Sequence, residues 1–299
     1  MNDDQQQQLA EQGWCVVSNV LTMNEIETAK NKFWEWLSLI SPEIDRDWMR
    51  TWSDEDWPSD LRGIILSHGI SQSDFVWYIR GNPKIKEVFA KIWNTQKLAC
   101  SLDAVICWKP WWLFEHHEWK PITEGYHLDQ NPFSKPGFQC VQGLVSLYDV
   151  TDEVGGLTVI PGTHNNEELQ IRLANDFRYG SDWCKLDLDD PLVKHPGHLI
   201  KAKAGDLVLW DSRLIHAGKV GPGGDPDQSE PEIDLARLSV PICMMPREMI
   251  PREVQEQRWD AFEQQSTLTH WPTECVVTHE GHYPNIPICY LNKAQRKIL

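Results

Sequence analysis

Between residues 100 and 245 the chain keeps returning to one texture. "ACSLDAVICW", "CVQGLVSLYDV", "LTVIPG", "DLVLWDS" and "LARLSVPICM" are short apolar or alternating runs, each bounded by Gly, Pro, Asp or Asn. That punctuation predicts successive strands of a sandwich or a barrel. The first hundred residues read differently. "GWCVVSNVL" suits a short strand, and "TMNE" at 22–25 has the Thr-x-x-Glu capping-box pattern that opens a helix through about Leu39. Asn82 and Pro83 make a second helix start, carrying "KIKEVFAKIW". The glutamines at 5–8 read as a frayed terminus. "GPGGDPDQSEPE" at 221–232 reads as an excursion over the surface. "PREVQEQRWDAFEQQ" from Pro251 predicts a late helix, followed by a Pro-rich irregular tail. A chain of 299 residues can build one large core. The expected layout is therefore one domain over 1–299, with a largely helical flank at 1–99, a β core at 100–245, and a helix and irregular tail at 246–299.

Composition narrows the function classes. With 41% hydrophobic and 24% charged residues the chain belongs with soluble globular proteins rather than disordered or fibrous ones. Its net charge of −16 repels phosphate backbones and anionic bilayers, which argues against nucleic acid and membrane partners. Lys84, Lys86, Lys91 and Lys97, interleaved with Ile85, Val88, Phe89 and Ile92, read as the wet side of an amphipathic helix. The opening "MNDDQQQQLAEQG" lacks a basic stretch followed by an apolar one, and no apolar run reaches membrane-spanning length, so a cytoplasmic location is expected. Eight cysteines, none in C-x-x-C spacing and most among apolar neighbours, suit buried reduced thiols.

The candidate chemistry lies in "GYHLDQNP" at 125–132. Alternate residues of a strand project from one face, so His127 and Asp129 can reach one ion while Leu128 points away. A third donor stands at the end of "AGDLVLWDSRLIHAG", where His216 lies just past an apolar strand. Two neutral imidazoles and one carboxylate make the facial triad of non-haem Fe(II) oxygenases, which leaves positions open for a chelating cosubstrate and dioxygen. Arg237 sits amid apolar residues in "ARLSV", where a buried guanidinium needs an anion, and Ser239 lies two along on the same face. A structural salt bridge would answer the same need. "FEHHEW" at 114–119 gathers Glu115, His116, His117 and Glu118, but adjacent histidines on a strand point oppositely, and an exposed loop is the better reading. Trp108, Trp111, Trp112 and Trp119 crowd the approach to His127 as a candidate aromatic wall or as ordinary packing. Lys109 is a further candidate contact for an anion.

In this order, His127-x-Asp129, "GGLTVIPGTHN" at 155–165, "GDLVLWDSRLIH" ending at His216, and Arg237-x-Ser239, the chain resembles the phytanoyl-CoA 2-hydroxylase (phytanoyl-CoA dioxygenase) family of Fe(II)/2-oxoglutarate-dependent dioxygenases. The resemblance covers roughly residues 100 to 245 and implies a double-stranded β-helix, a cupin-like jelly roll with flanking helices. It implies iron bound through His127, Asp129 and His216, and the 2-oxoglutarate C5 carboxylate bound by Arg237 beside Ser239. It further implies dioxygen as cosubstrate and hydroxylation of a C–H bond of a small organic molecule, with release of succinate and carbon dioxide. Gly162 and His164 would be structural. Two features depart from the family pattern: a longer gap between His216 and Arg237, which makes Arg247 the alternative, and Leu128 in place of a polar residue. A non-catalytic jelly-roll binding module and a zinc hydrolase built on the same three ligands are the competing readings. Oligomeric state and prime substrate are not encoded in any motif.

Overall fold

A computed structural model describes residues 1–113, 116–225 and 234–299. In chain order the elements are α1 (Asp3–Gln12), β1 (Trp14–Val17), α2 (Met23–Ile40), β2 (Ile64–Ile65), α3 (Asp74–Arg80), α4 (Pro83–Trp93), β3 (Leu98–Cys100) and β4 (Val105–Trp108). There follow β5 (His127–Leu128), β6 (Val141–Ser146), β7 (Gly155–Val159), α5 (Glu167–Asp176), β8 (Cys184–Lys185), β9 (His198–Leu199) and β10 (Leu207–Asp211). The chain continues through β11 (His216–Val220), β12 (Arg237–Pro246), α6 (Arg252–Glu263), β13 (Thr267–Leu268), β14 (Val277–His279) and α7 (Lys293–Arg296).

The strands form two antiparallel sheets. The larger runs β1-β10-β6-β12-β4-β2, with β3 also on β12, and the smaller runs β8-β5-β11-β7-β9. They face one another through Leu144, Val208 and Trp210 of the larger sheet and Leu157 and Val159 of the smaller. This is the expected jelly roll, antiparallel sheets with flanking helices rather than a closed barrel.

The helical flank covers the other face of the larger sheet. α2 buries Ile26, Ala29, Phe33 and Leu37, the spacing of one helical face, and its capping box is present: the Glu25 N–H donates to Thr22 Oγ1 at 3.3 Å and the Thr22 N–H to Glu25 Oε2 at 2.7 Å. α4 starts at the Asn82-Pro83 pair, with the Lys84 N–H donating to Asn82 Oδ1 at 2.9 Å. It seats Phe89 on the sheet at Gly143. A β-carbon there would lie 3.0 Å from the Phe89 ring and 2.9 Å from the Ile242 carbonyl oxygen, so glycine is what allows the close approach.

Four expectations change. The glutamines are not frayed: Gln5–Gln8 lie in α1, capped by a reciprocal Asn2/Gln5 box, and Gln5 Nε2 also donates to Val16 O at 2.9 Å. "ACSLDAVICW" divides into β3 and β4 around residues 101–104. His216 opens β11 rather than trailing β10. The tail after α6 is not wholly irregular: β13 and β14 pair, and the Leu268 N–H donates to Leu102 O while Thr267 Oγ1 donates to Leu66 O, both at 2.7 Å. Of the 221–232 segment, residues from 226 on lie outside the described residues, and 221–225 carry no helix or strand. Seven of the eight cysteines are buried and all are free. Among the described residues no helix is long and apolar enough to cross a membrane.

Candidate metal centre

The site is assembled by strand register. β5 and β11 are antiparallel neighbours in which His127 and His216 stand directly opposite, with the ring centroids 4.4 Å apart. Asp129 follows two residues after His127 on the same side, while Leu128 between them is fully buried in a separate apolar cluster. One ligand atom from each of His127, Asp129 and His216 lies within 4.8 Å of the others, the only such group among the described residues.

Both rings are set for ligation through Nε2. His127 Nδ1 lies 2.8 Å from Gly125 O and His216 Nδ1 lies 2.8 Å from Leu214 O; each Nδ1 has a carbonyl as its partner and so carries the proton. The remaining nitrogens meet the carboxylate, His216 Nε2 at 3.1 Å from Asp129 Oδ2 and His127 Nε2 at 3.7 Å from Oδ1. Gln142, buried on β6 of the opposite sheet, donates Nε2 to the same Oδ2 at 3.0 Å. Burial, followed by the neighbouring His216, holds His127 below its ordinary pKa and therefore neutral. Burial also opposes charge on Asp129 and on His216, but their mutual attraction outweighs it. The carboxyl titrates well below its usual range and the His216 ring above its own. Imidazole nitrogens and one carboxylate, with both Nδ1 protons directed away from a common point, fit a divalent transition metal.

A cavity of about 440 Å³ opens from these three residues. Arg237, the first residue of β12, lines it too. Its guanidinium lies 4.5 Å from the centroid of Trp108, its register partner on β4, and its Nε donates to Ser239 Oγ at 3.3 Å. Arg237 is 5% exposed and has no carboxylate partner among the described residues; burial alone pushes its pKa down to about 10. Among the described residues no structural salt bridge forms at Arg237, and a small carboxylate entering the cavity would supply an anion. Ser239 is fully buried.

Other candidates fall elsewhere. Arg247 donates to Lys297 O and does not line the cavity. Lys109 is ion-paired with Asp54 and lies 4.1 Å from the centroid of Trp119. Of the four expected tryptophans only Trp108 reaches the cavity; Trp183 and Trp210 complete its aromatic lining. In "FEHHEW", Glu115 lies outside the described residues, and His116 stacks on Trp119 with Nδ1 2.8 Å from Glu118 Oε1. His164 is buried with Nε2 3.1 Å from Ala10 O, Gly162 adopts φ +78° at the turn before it, and neither lines the cavity. Sequence reasoning missed Asp103, Gln142, Thr269 and His270, all cavity-lining. Only Gln142 carried a signal, a polar residue inside an apolar strand run.

A jelly roll with two imidazoles and one carboxylate at its mouth defines the class of non-haem iron dioxygenases that use 2-oxoglutarate. The chain belongs to the phytanoyl-CoA dioxygenase (PhyH) family, whose sequence model matches residues 9–220. It is an oxidoreductase. The Ava biosynthesis cluster protein O of Aspergillus versicolor is 26% identical over 294 residues, covering 91% of this chain and 86% of that protein. Two solved structures share the fold. The epimerase SnoN in complex with Fe3+, alpha ketoglutarate and nogalamycin RO is similar at TM-score 0.51 and 17% identity, covering 81% of this chain and 82% of SnoN. HygX from Streptomyces hygroscopicus, with nickel and 2-oxoglutarate bound, is similar at TM-score 0.51 and 13% identity, covering 83% of this chain and 87% of HygX.

Proposed function

We propose that the protein hydroxylates a C–H bond of a small organic molecule, with iron(II) held by His127, Asp129 and His216 and the distal carboxylate of 2-oxoglutarate held by Arg237 and Ser239. The observation that carries this reading is the pair of Nε2 atoms facing one carboxylate while both Nδ1 atoms are engaged by backbone carbonyls. Iron bound there supplies dioxygen activation coupled to oxidation of 2-oxoglutarate to succinate and carbon dioxide. The chain's own residues do the rest. Gly125 O and Leu214 O fix the ring orientations, Gln142 steadies the carboxylate from across the sandwich, and Arg237 provides a desolvated cation for the cosubstrate. Ile106, Leu144 and Leu157 give the cavity an apolar wall beside these groups. SnoN and HygX, which hold a metal and 2-oxoglutarate on this fold, support the reading.

The same reading takes 1–299 as one dioxygenase domain and places it in the cytoplasm, in keeping with eight free thiols, with a small molecule rather than nucleic acid or membrane as partner. The test is succinate formation by the purified protein under air. It is expected to require both ferrous ion and 2-oxoglutarate and to vanish in His127→Ala. Zinc-dependent hydrolysis without 2-oxoglutarate would overturn the proposal in favour of a hydrolase, and tight binding of metal and 2-oxoglutarate with no succinate would favour a binding module.

A further inference from the structure

We infer that Asp103, Thr269 and His270 form a second, polar subsite in the cavity that selects a substrate carrying an N–H or O–H donor on an apolar body, and not an acyl-CoA thioester. The inference deepens the proposed function and rests on it for the chemistry done at the substrate.

Two strands of argument lead to it. The first is what the cavity offers to charge. Among the described residues that line it, the permanently cationic side chains are Arg62 and Arg237. Arg62 is already ion-paired with both Asp60 and Glu124, and Arg237 is assigned to the cosubstrate. Among the described lining residues no cation is left for the phosphates of a coenzyme A group.

The second is what the cavity leaves without a partner. Asp103 lies just before β4, and its Oδ1 accepts from the Ala104 N–H at 2.7 Å, while no donor among the described residues reaches Oδ2. Thr269 Oγ1 and His270 Nε2 are buried with no hydrogen-bond partner among the described residues. They follow β13, which is tied to Leu102, the neighbour of Asp103, by the Leu268 N–H bond to Leu102 O, so the three polar groups come from two segments fastened side by side. Asp103, Thr269 and His270 line the same cavity as Asp129 and His216, which puts the cluster within reach of a substrate held at the metal centre. Most of the remaining wall, such as Ile64, Leu66 and Ala104, is apolar. An apolar site with a few unmatched polar groups binds a ligand that matches them and rejects the analogue that does not, because the rejected analogue leaves those groups dry and unbonded. Residues 269 and 270 also lie beyond the 9–220 stretch matched by the family, where a selectivity element particular to this chain can differ from its relatives.

The test uses the full chain loaded with Zn(II) and 2-oxoglutarate, and two planar probes that differ only at the donor, indole and 1-methylindole, with decanoyl-CoA as third ligand, all measured by equilibrium dialysis. Indole is expected to be retained at least about tenfold more tightly than 1-methylindole. The preference should fall below about twofold in Asp103→Leu and shrink in the double variant Thr269→Val/His270→Phe, which remains informative if Asp103→Leu does not fold. Equal retention of the two indoles, retention of neither at millimolar concentration, a preference that survives in the folded variants, or tighter binding of decanoyl-CoA than of indole would each overturn the inference. Failure of the functional reading looks different: no 2-oxoglutarate-dependent succinate, with the indole preference intact.

Discussion

The two sheets of this molecule are built to different standards. The larger is buried on both faces: all residues of β6 and β10 are buried, and nine of ten in β12, because helices cover one side and the smaller sheet the other. The smaller sheet has strands of two to five residues, and β9 and β11 carry half-buried or exposed positions. Of the metal-binding candidates, His127 and His216 sit on the smaller sheet and Asp129 just past β5, and the larger sheet reaches over to them through Gln142 and Arg237. Scaffold and chemistry are thus divided between layers, and perturbations should separate them.

Removing a donor should show the division most sharply. His216→Ala is expected to retain no iron and to form no succinate above background while its far-UV circular dichroism matches the parent; metal analysis and succinate assay check it. The converse change is Phe89→Ala on α4, which should lower stability by about 3–5 kcal/mol in denaturant titration, with metal affinity unchanged below the transition. Arg237→Leu lies between the layers. Because leucine offers the cosubstrate carboxylate no charged donor, the 2-oxoglutarate concentration for half-maximal turnover should rise about 10- to 100-fold with iron content unchanged.

The smallest effect is a pH dependence. The pKa of His216 is raised in the folded protein by Asp129, so without metal its charged form contributes stability below the unfolded pKa, a contribution lost as pH rises through the folded value. Metal must displace that proton. Affinity should therefore fall by about tenfold per pH unit once the pH drops below the folded pKa, measurable by competition with a chelator.

The same division decided what could be read from the sequence. Strands buried on both faces announce themselves as unbroken apolar runs, which is why β6, β10 and β12 were legible, and α2 and α4 carried their start signals in Thr22-Glu25 and Asn82-Pro83. His127, Asp129, His216 and Arg237 were named from order and residue type, and the fold brings all four to one cavity despite the long segment before Arg237. Two-residue strands such as β5, β8 and β9 have no periodicity to detect. The β13–β14 hairpin is tied by hydrogen bonds to Leu66 and Leu102, partners far away in the sequence, which no local pattern records. Tryptophan position misled for the same reason: Trp111 and Trp119 are close to His127 in sequence, yet their rings face Trp112 and Lys109, while Trp183 and Trp210 arrive from distant parts of the chain.

The register that sets His127 opposite His216 carries one more consequence. β5 meets β11 at that single pair of residues, and the carboxylate between them belongs to a chain position 87 residues from its imidazole neighbour. An ion seated there would be a clasp across a long loop as well as a reagent, and by binding the folded arrangement it would stabilise that arrangement by mass action. Iron supply would then govern how long this rim of the molecule survives proteases, quite apart from how fast the enzyme turns over.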